Sequence, residues 1–260
     1  MILFYQNQHK NQPSTHDRVF AHLPRRSRHR NCQICYNVAM KSTEPLRTFI
    51  RAFLAGVCIA IGGTVFLKLK NAFPGSDIVG ALFFTIGLFA ICTRGYDLFT
   101  GKAGAALDEK PIYLLKLLII LFGNFLGCLF VAELEKHTGL VGEQGINVVA
   151  TAMVEAKMQQ NPVGLIILGF FCNILIYFAV NGFKNNPHEL GKFLALFFGV
   201  AVFILSGTEH SVADMYYWLV SGVFYTNFWP SLGCLVLIVF GNFLGAIFIP
   251  FCEKLASSRD

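Results

Sequence analysis

Gly207-Thr208-Glu209-His210-Ser211-Val212-Ala213-Asp214-Met215 interrupts an apolar run that occupies residues 193–205 before it and 215–220 after it. A Glu, a His and an Asp inside a would-be membrane span are costly. Charged groups at mid-membrane cost at least a few kcal/mol each, so they normally mark a pathway or a site. The neighbouring Gly, Thr and Ser suggest that the helix is broken here. Irregular backbone at membrane depth is tolerated only where it is buried in protein or lines a water-filled cavity.

The rest of the chain fits a polytopic membrane protein. Of its 260 residues 55% are hydrophobic and only 14% charged, and the mean hydropathy is +0.56, too apolar for a soluble domain. Six apolar runs are each about the 20 residues needed to cross a bilayer: residues 49–67, 78–92, 112–134, 163–180, 190–220 and 230–251. A polar, partly helical stretch at 135–161 separates the third from the fourth. The second run breaks at Thr93-Arg94-Gly95-Tyr96-Asp97-Leu98-Phe99-Thr100-Gly101 and the fifth at the quoted stretch.

The net charge of +6 lies largely in an N-terminal arm rich in Asn, Gln, His and Arg, with Arg25-Arg26-Ser27-Arg28-His29-Arg30 at its core. No folded basic domain carries this charge, so nucleic-acid binding is not expected. No apolar core with a cleavage site follows, so the arm is not a secretory signal. Residues 1–44 read as a disordered cytoplasmic arm, or as an over-long start with Met40 the true one. Residues 45–254 read as the six-helix domain, with a helix start at Ser42-Thr43-Glu44-Pro45, and 255–260 as a short cytoplasmic tail. Six of the eight cysteines lie in or beside apolar runs, where they are ordinary packing residues. Cys32-Gln-Ile-Cys35 has no second pair at ligand spacing, so neither a metal nor a cofactor is assigned.

Six spans put both termini on one side. Basic residues at Lys41, Arg47, Arg51, Lys102, Lys110, Lys116, Lys184 and Lys192 gather on that side, while Glu133, Glu135, Glu143 and Glu155 gather opposite. The positive-inside rule therefore makes both termini cytoplasmic, with Lys68 and Lys70 counting against it. The plasma membrane is the expected location.

Phe-Gly-Asn-Phe-Leu-Gly occurs twice, at 122–127 and 240–245, an offset of 118 residues. Nearly the same offset sets Tyr96-Asp97-Leu98-Phe99 against Ala213-Asp214-Met215-Tyr216. Three spans in each half force the halves into opposite orientations. Inverted repeats with paired broken helices meeting near the midplane are an architecture of membrane transport. The expected fold is all-α, six membrane helices in an inverted three-plus-three repeat, with the second and fifth broken.

The quoted stretch resembles the Gly-Phe-Glu-His-Ser-Ile-Ala-Asn-Met signature of the formate/nitrite transporter family. Gly95-Tyr96-Asp97-Leu98-Phe99-Thr100-Gly101 is similar to that family's loop in its broken second helix, and Lys157, Cys172-Asn173 and Gly241-Asn242 also fall where the family has them. The resemblance covers residues 45–252. It implies a homopentamer of protomers with an aquaporin-like fold, each with its own pore for small monovalent anions: formate, nitrite, hydrosulfide and, in some members, lactate. It further implies His210, Thr100 and Asn173 at the pore centre, a cytoplasmic slit of Phe84, Leu88 and Leu98, and an outer slit of Phe99, Ile176 and Phe203. Lys157 would stand at the outer entry. Glu209, Asp97, Asp214 and Asn242 would support the helix breaks, Asp97 through Arg94 or backbone N–H groups. Asp214 departs from the family's Asn and Thr208 from its Phe. An ionised Asp beside an anion pore repels substrate unless it is paired, protonated or facing away.

An anion cannot cross an apolar slit unaided, because its desolvation is too costly. Exposed N–H groups at helix breaks attract anions. An imidazole with an ordinary pKa of about 6.5 can donate a proton. Formate-like weak acids are therefore expected to cross partly in neutral form, with protons. A neutral-solute channel of aquaporin type is the competing class, but paired Asn-Pro-Ala signatures are missing from the spans. No nucleophile–base pair, metal-ligand pair or phosphate loop points to an enzyme.

Overall fold

The computed structural model describes residues 25–73, 75 and 77–257, with side chains from residue 44 onward. The described elements are helices: α1 (Arg25–Ala72), α2 (Asp77–Arg94), α3 (Phe99–Lys102), a 3-10 turn (Ala103–Leu107), α4 (Tyr113–Glu135), α5 (Ile146–Met158), α6 (Pro162–Asn185), α7 (Glu189–Leu205), α8 (Ser211–Ser221), α9 (Val223–Thr226) and α10 (Phe228–Ser257). Among the described residues five helices are long and apolar enough to cross a membrane: the Glu44–Ala72 part of α1, together with α2, α4, α6 and α10. The run expected as a fifth span is divided between α7 and α8 by non-helical residues 206–210. Residues 95–98 likewise divide α2 from α3.

Local sequence sets these boundaries. Asn161-Pro162 opens α6: the Asn161 side chain accepts from Gly164 N at 2.7 Å, and Pro162 occupies the first turn, where no N–H is needed. The two breaks fall on glycines in left-handed backbone, Gly95 at φ +66° and Gly207 at φ +65°, a conformation that costs other L-residues about 1–2 kcal/mol. At the N-terminal end, α1 begins at Arg25, so residues 25–44 of the arm expected to be disordered are helical. No Gly or Pro lies between Arg25 and Glu44 to stop them. Pro45 accordingly sits inside the helix and not at its start. The arm's residues 1–24 lie outside the described residues, as do the side chains of His29, Cys32 and Cys35 and the tail's residues 258–260.

The repeated hexapeptides do the same structural work twice. A Cβ on Gly127 would come within 2.1 Å of Phe53 O, and one on Gly245 within 2.1 Å of Phe170 O. Only glycine lets α4 lie this close on α1, and α10 on α6, as small residues do in membrane bundles. Outward-facing Ile78, Leu118, Phe198 and Trp229 remain exposed. The core is a belt of aliphatic and aromatic side chains into which Asn124, Asn173, Asn242, His210 and Asp214 are buried.

Candidate functional site: two helix breaks meeting at His210

Each break is tied down by one buried Asn. Asn124 on α4 accepts from Phe99 N (2.9 Å) and donates to Ala52 O (2.7 Å) and Asp97 O (3.0 Å). Asn242 on α10 accepts from Ser211 N (2.8 Å) and donates to Gly169 O and Glu209 O (both 2.8 Å). Both amides are satisfied, so backbone groups that a broken helix would orphan are answered without water.

This geometry corrects the register of the repeat. The breaks match at an offset of 112 residues, Gly95 to Gly207, Asp97 to Glu209, Phe99 to Ser211, and not at the offset pairing Asp97 with Asp214. The reason is length: the second half has a longer stretch between its break and its Asn, occupied by α8 and α9, where the first has the short α3 and a 3-10 turn. In the corrected register Leu98 and His210 hold the same place, each the N-cap of the helix after its break.

His210 does what Leu98 cannot. Its Nδ1 accepts from Ala213 N at 3.1 Å, capping α8. A neutral ring whose Nδ1 accepts must carry its proton on Nε2. Nε2–H then donates to Thr100 Oγ1, 3.0 Å away on α3. Phe203 stacks on the imidazole with centroids 5.4 Å apart. Asn173 Nδ2 holds Thr100 O at 3.1 Å, while its Oδ1 has no partner among the described residues. The three residues expected at the pore centre are thus brought together.

A cavity opens on each side of this contact. One, of about 380 Å³, is lined by Phe66, Lys157, Phe203, Thr208, His210 and Asp214. The other, of about 270 Å³, is lined by Thr100, Asn173, Tyr177, Asn181 and Lys184. The His210–Thr100 hydrogen bond lies at the partition between them, since one partner lines each cavity. A narrow pocket beside the second cavity is bounded by Leu88, Leu98, Val180 and Lys184.

The slit residues group differently from the expectation. Phe84, expected with Leu88 and Leu98, instead meets Phe203 edge to face at 6.0 Å, because Phe84 lies a turn nearer the start of α2. Leu88 and Leu98 stay together; Phe99 and Ile176 are buried in the common core. The charged residues also differ. Asp97 is held by Lys102 (3.0 Å) and Arg51 (3.6 Å) and not by Arg94, which is exposed at the end of α2. Lys157 is no free cation at an entrance: its ammonium contacts Glu209 and also Asp214 at 3.0 Å. In sequence Arg51 and Lys102 count only toward the charge of one membrane face, and Asn124 stands out only as part of the repeat. The identical hexapeptide is the signal that marks Asn124.

Fold and site together define an all-helical chain with several helices of membrane length, in which two non-helical stretches are brought together at the buried His210. The family model described as Formate/nitrite transporter matches residues 33–253, and the chain belongs to that family. It is a multi-pass membrane protein of a family of channels and transporters. The formate channel FocA of Haemophilus influenzae is 26% identical over 210 residues, covering 73% of each chain. Among solved structures, an FNT family ion channel superposes with a TM-score of 0.75 at 24% identity, covering 84% of this chain and 92% of its own. A pentameric formate channel with formate bound superposes with a TM-score of 0.67 at 24% identity, covering 83% and 98%.

Proposed function

We propose that the chain passes small monovalent anions of weak acids, formate first, together with protons, through a pore in each protomer of a homopentamer in the plasma membrane, with both termini cytoplasmic. The observation that carries this reading is the His210–Thr100 hydrogen bond at the partition between two cavities. Its N–H and O–H are polar groups positioned where a carboxylate crossing between the cavities has lost its water. The positive N-terminal end of α8 lies beside them. The constrictions on this reading are the Phe84–Phe203 pair on one side and Leu88 with Leu98 on the other. Phe99 and Ile176 back them. The likeness to formate channels supports formate, and the likeness to a pentameric one supports five subunits. Nitrite is the next candidate, from the family's name, and hydrosulfide follows by its size and charge. No observation favours an aquaporin-like neutral-solute channel.

The test is formate uptake by vesicles reconstituted with purified protein. His210→Phe removes the N–H and is expected to lower flux by at least about tenfold, since a lost hydrogen bond to a charged group is worth about 1.5–3 kcal/mol. Uptake should rise as the outside is acidified. Unchanged flux in the variant, or osmotic swelling without formate uptake, would overturn the reading.

A further inference from the structure

We infer that Asp214, Glu209 and Lys157 form a proton-binding site that excludes permanent anions from the pathway. The inference deepens the functional reading above and rests on it.

The charge count is the starting point. Two carboxylates meet one ammonium: Lys157 Nζ lies 3.0 Å from Asp214 Oδ1 and in closer contact with Glu209 Oε2. All three side chains are shielded, 14% exposed for Lys157, 5% for Glu209 and 2% for Asp214. Asp214 Oδ2 is buried and has no hydrogen-bond partner among the described residues. One ammonium balances one carboxylate, so the fully ionised cluster carries one excess negative charge, largely out of water, where charges interact strongly.

Among the described residues no second counter-charge is in contact with the cluster. Facing the cluster are Tyr217 on α8, Cys172 on α6 and His210 at the break. Lys70 at the end of α1 lines the same cavity but is paired with Asp77 at 2.7 Å. Glu135 on α4, on the other side of α8, is engaged by Thr64 and Tyr216 hydroxyls. What completes the cluster is therefore a proton on the unpartnered Asp214 oxygen, drawn from water in the 380 Å³ cavity that Asp214 and Lys157 both line. With the proton bound the cluster is neutral and an anion enters beside Lys157. Without it, the anion meets a net negative wall. The anion of a weak acid can itself take up a proton and pass that wall in neutral form. An anion that stays charged at every pH gains entry only when the site is protonated.

Nitrate, which keeps its charge at all working pH values, is the probe. Nitrate and formate uptake are measured in vesicles carrying wild type, Asp214→Asn and Glu209→Gln, from acidic to slightly alkaline pH. Wild type should admit nitrate poorly at neutral pH and better as pH falls. Asp214→Asn removes the excess charge while keeping the shape, and should raise neutral-pH nitrate uptake on the order of tenfold and flatten its pH profile. Glu209→Gln removes the same charge from the other side of Lys157 and should do likewise, so it carries the test if Asp214→Asn does not assemble. Nitrate uptake with the same pH profile in wild type and in the assembled variants overturns the proton site. Absence of formate uptake in wild type overturns the substrate reading instead, and the nitrate arms still score Asp214.

Discussion

Asn124 and Asn242, both buried, fasten the two breaks to the helices behind them. Each binds two main-chain groups at its break and one carbonyl of a neighbouring helix, Ala52 O for Asn124 and Gly169 O for Asn242. Removing a partner from a buried polar group costs about 1–3 kcal/mol, so Asn242→Ala should destabilise by several kcal/mol. Asn242→Asp is expected to be at least as harmful, because it turns a donor to Gly169 O and Glu209 O into a repelling oxygen. Thermal unfolding in detergent, compared with Asn124→Ala, measures both; a melting point unmoved in either Ala variant would contradict the tie. At this scale the sequence is partly legible. His210 stands out because an imidazole in an apolar run has few structural excuses. Its bond to Thr100 is beyond reading, since 110 residues separate them and only the packed halves bring them together. Lys157 looks like a free cation in sequence for the same reason: neither carboxylate is near it along the chain.

Among elements, the legible features are those with a local cause. Apolar length marks the membrane helices, and polar residues within it mark the breaks. The register of the repeat is hidden because one short match of apolar and acidic letters outweighs the glycines, whose positive φ marks the true correspondence. Two substitutions separate conformational strain from crowding. Gly207→Ala meets nothing within 4 Å, so only its left-handed backbone opposes it, at about 1–2 kcal/mol. Gly245→Ala drives a methyl into Phe170 O and must part α10 from α6. Its loss of melting temperature should exceed that of Gly207→Ala, and a reversed order would argue against the close helix contact.

For the whole molecule, the odd number of crossings expected in each half predicts where chemistry can reach it. On the proposed orientation, single cysteines placed in the 136–145 connection should react with a membrane-impermeant reagent from outside, and those at 186–188 only from the cytoplasm. Labelling in the opposite sense would invert every assignment of side. The exposed apolar faces of the bundle, with Trp229 and Phe198 outward, are those a bilayer or neighbouring protomers would cover.

Leu98 and His210 occupy twin positions in the two hinges, yet only one of them is polar. The twin places are filled differently: one holds a greasy stopper, while the other holds a ring that latches its own helix and reaches Thr100 beyond the opposite hinge. On the proposed reading a traveller meets hydrocarbon before imidazole from either mouth, the Phe84–Phe203 pair from one and Leu88 with Leu98 from the other. The two approaches differ in kind, aromatic rings on one side and aliphatic chains on the other, while the ring between them is anchored to one hinge alone.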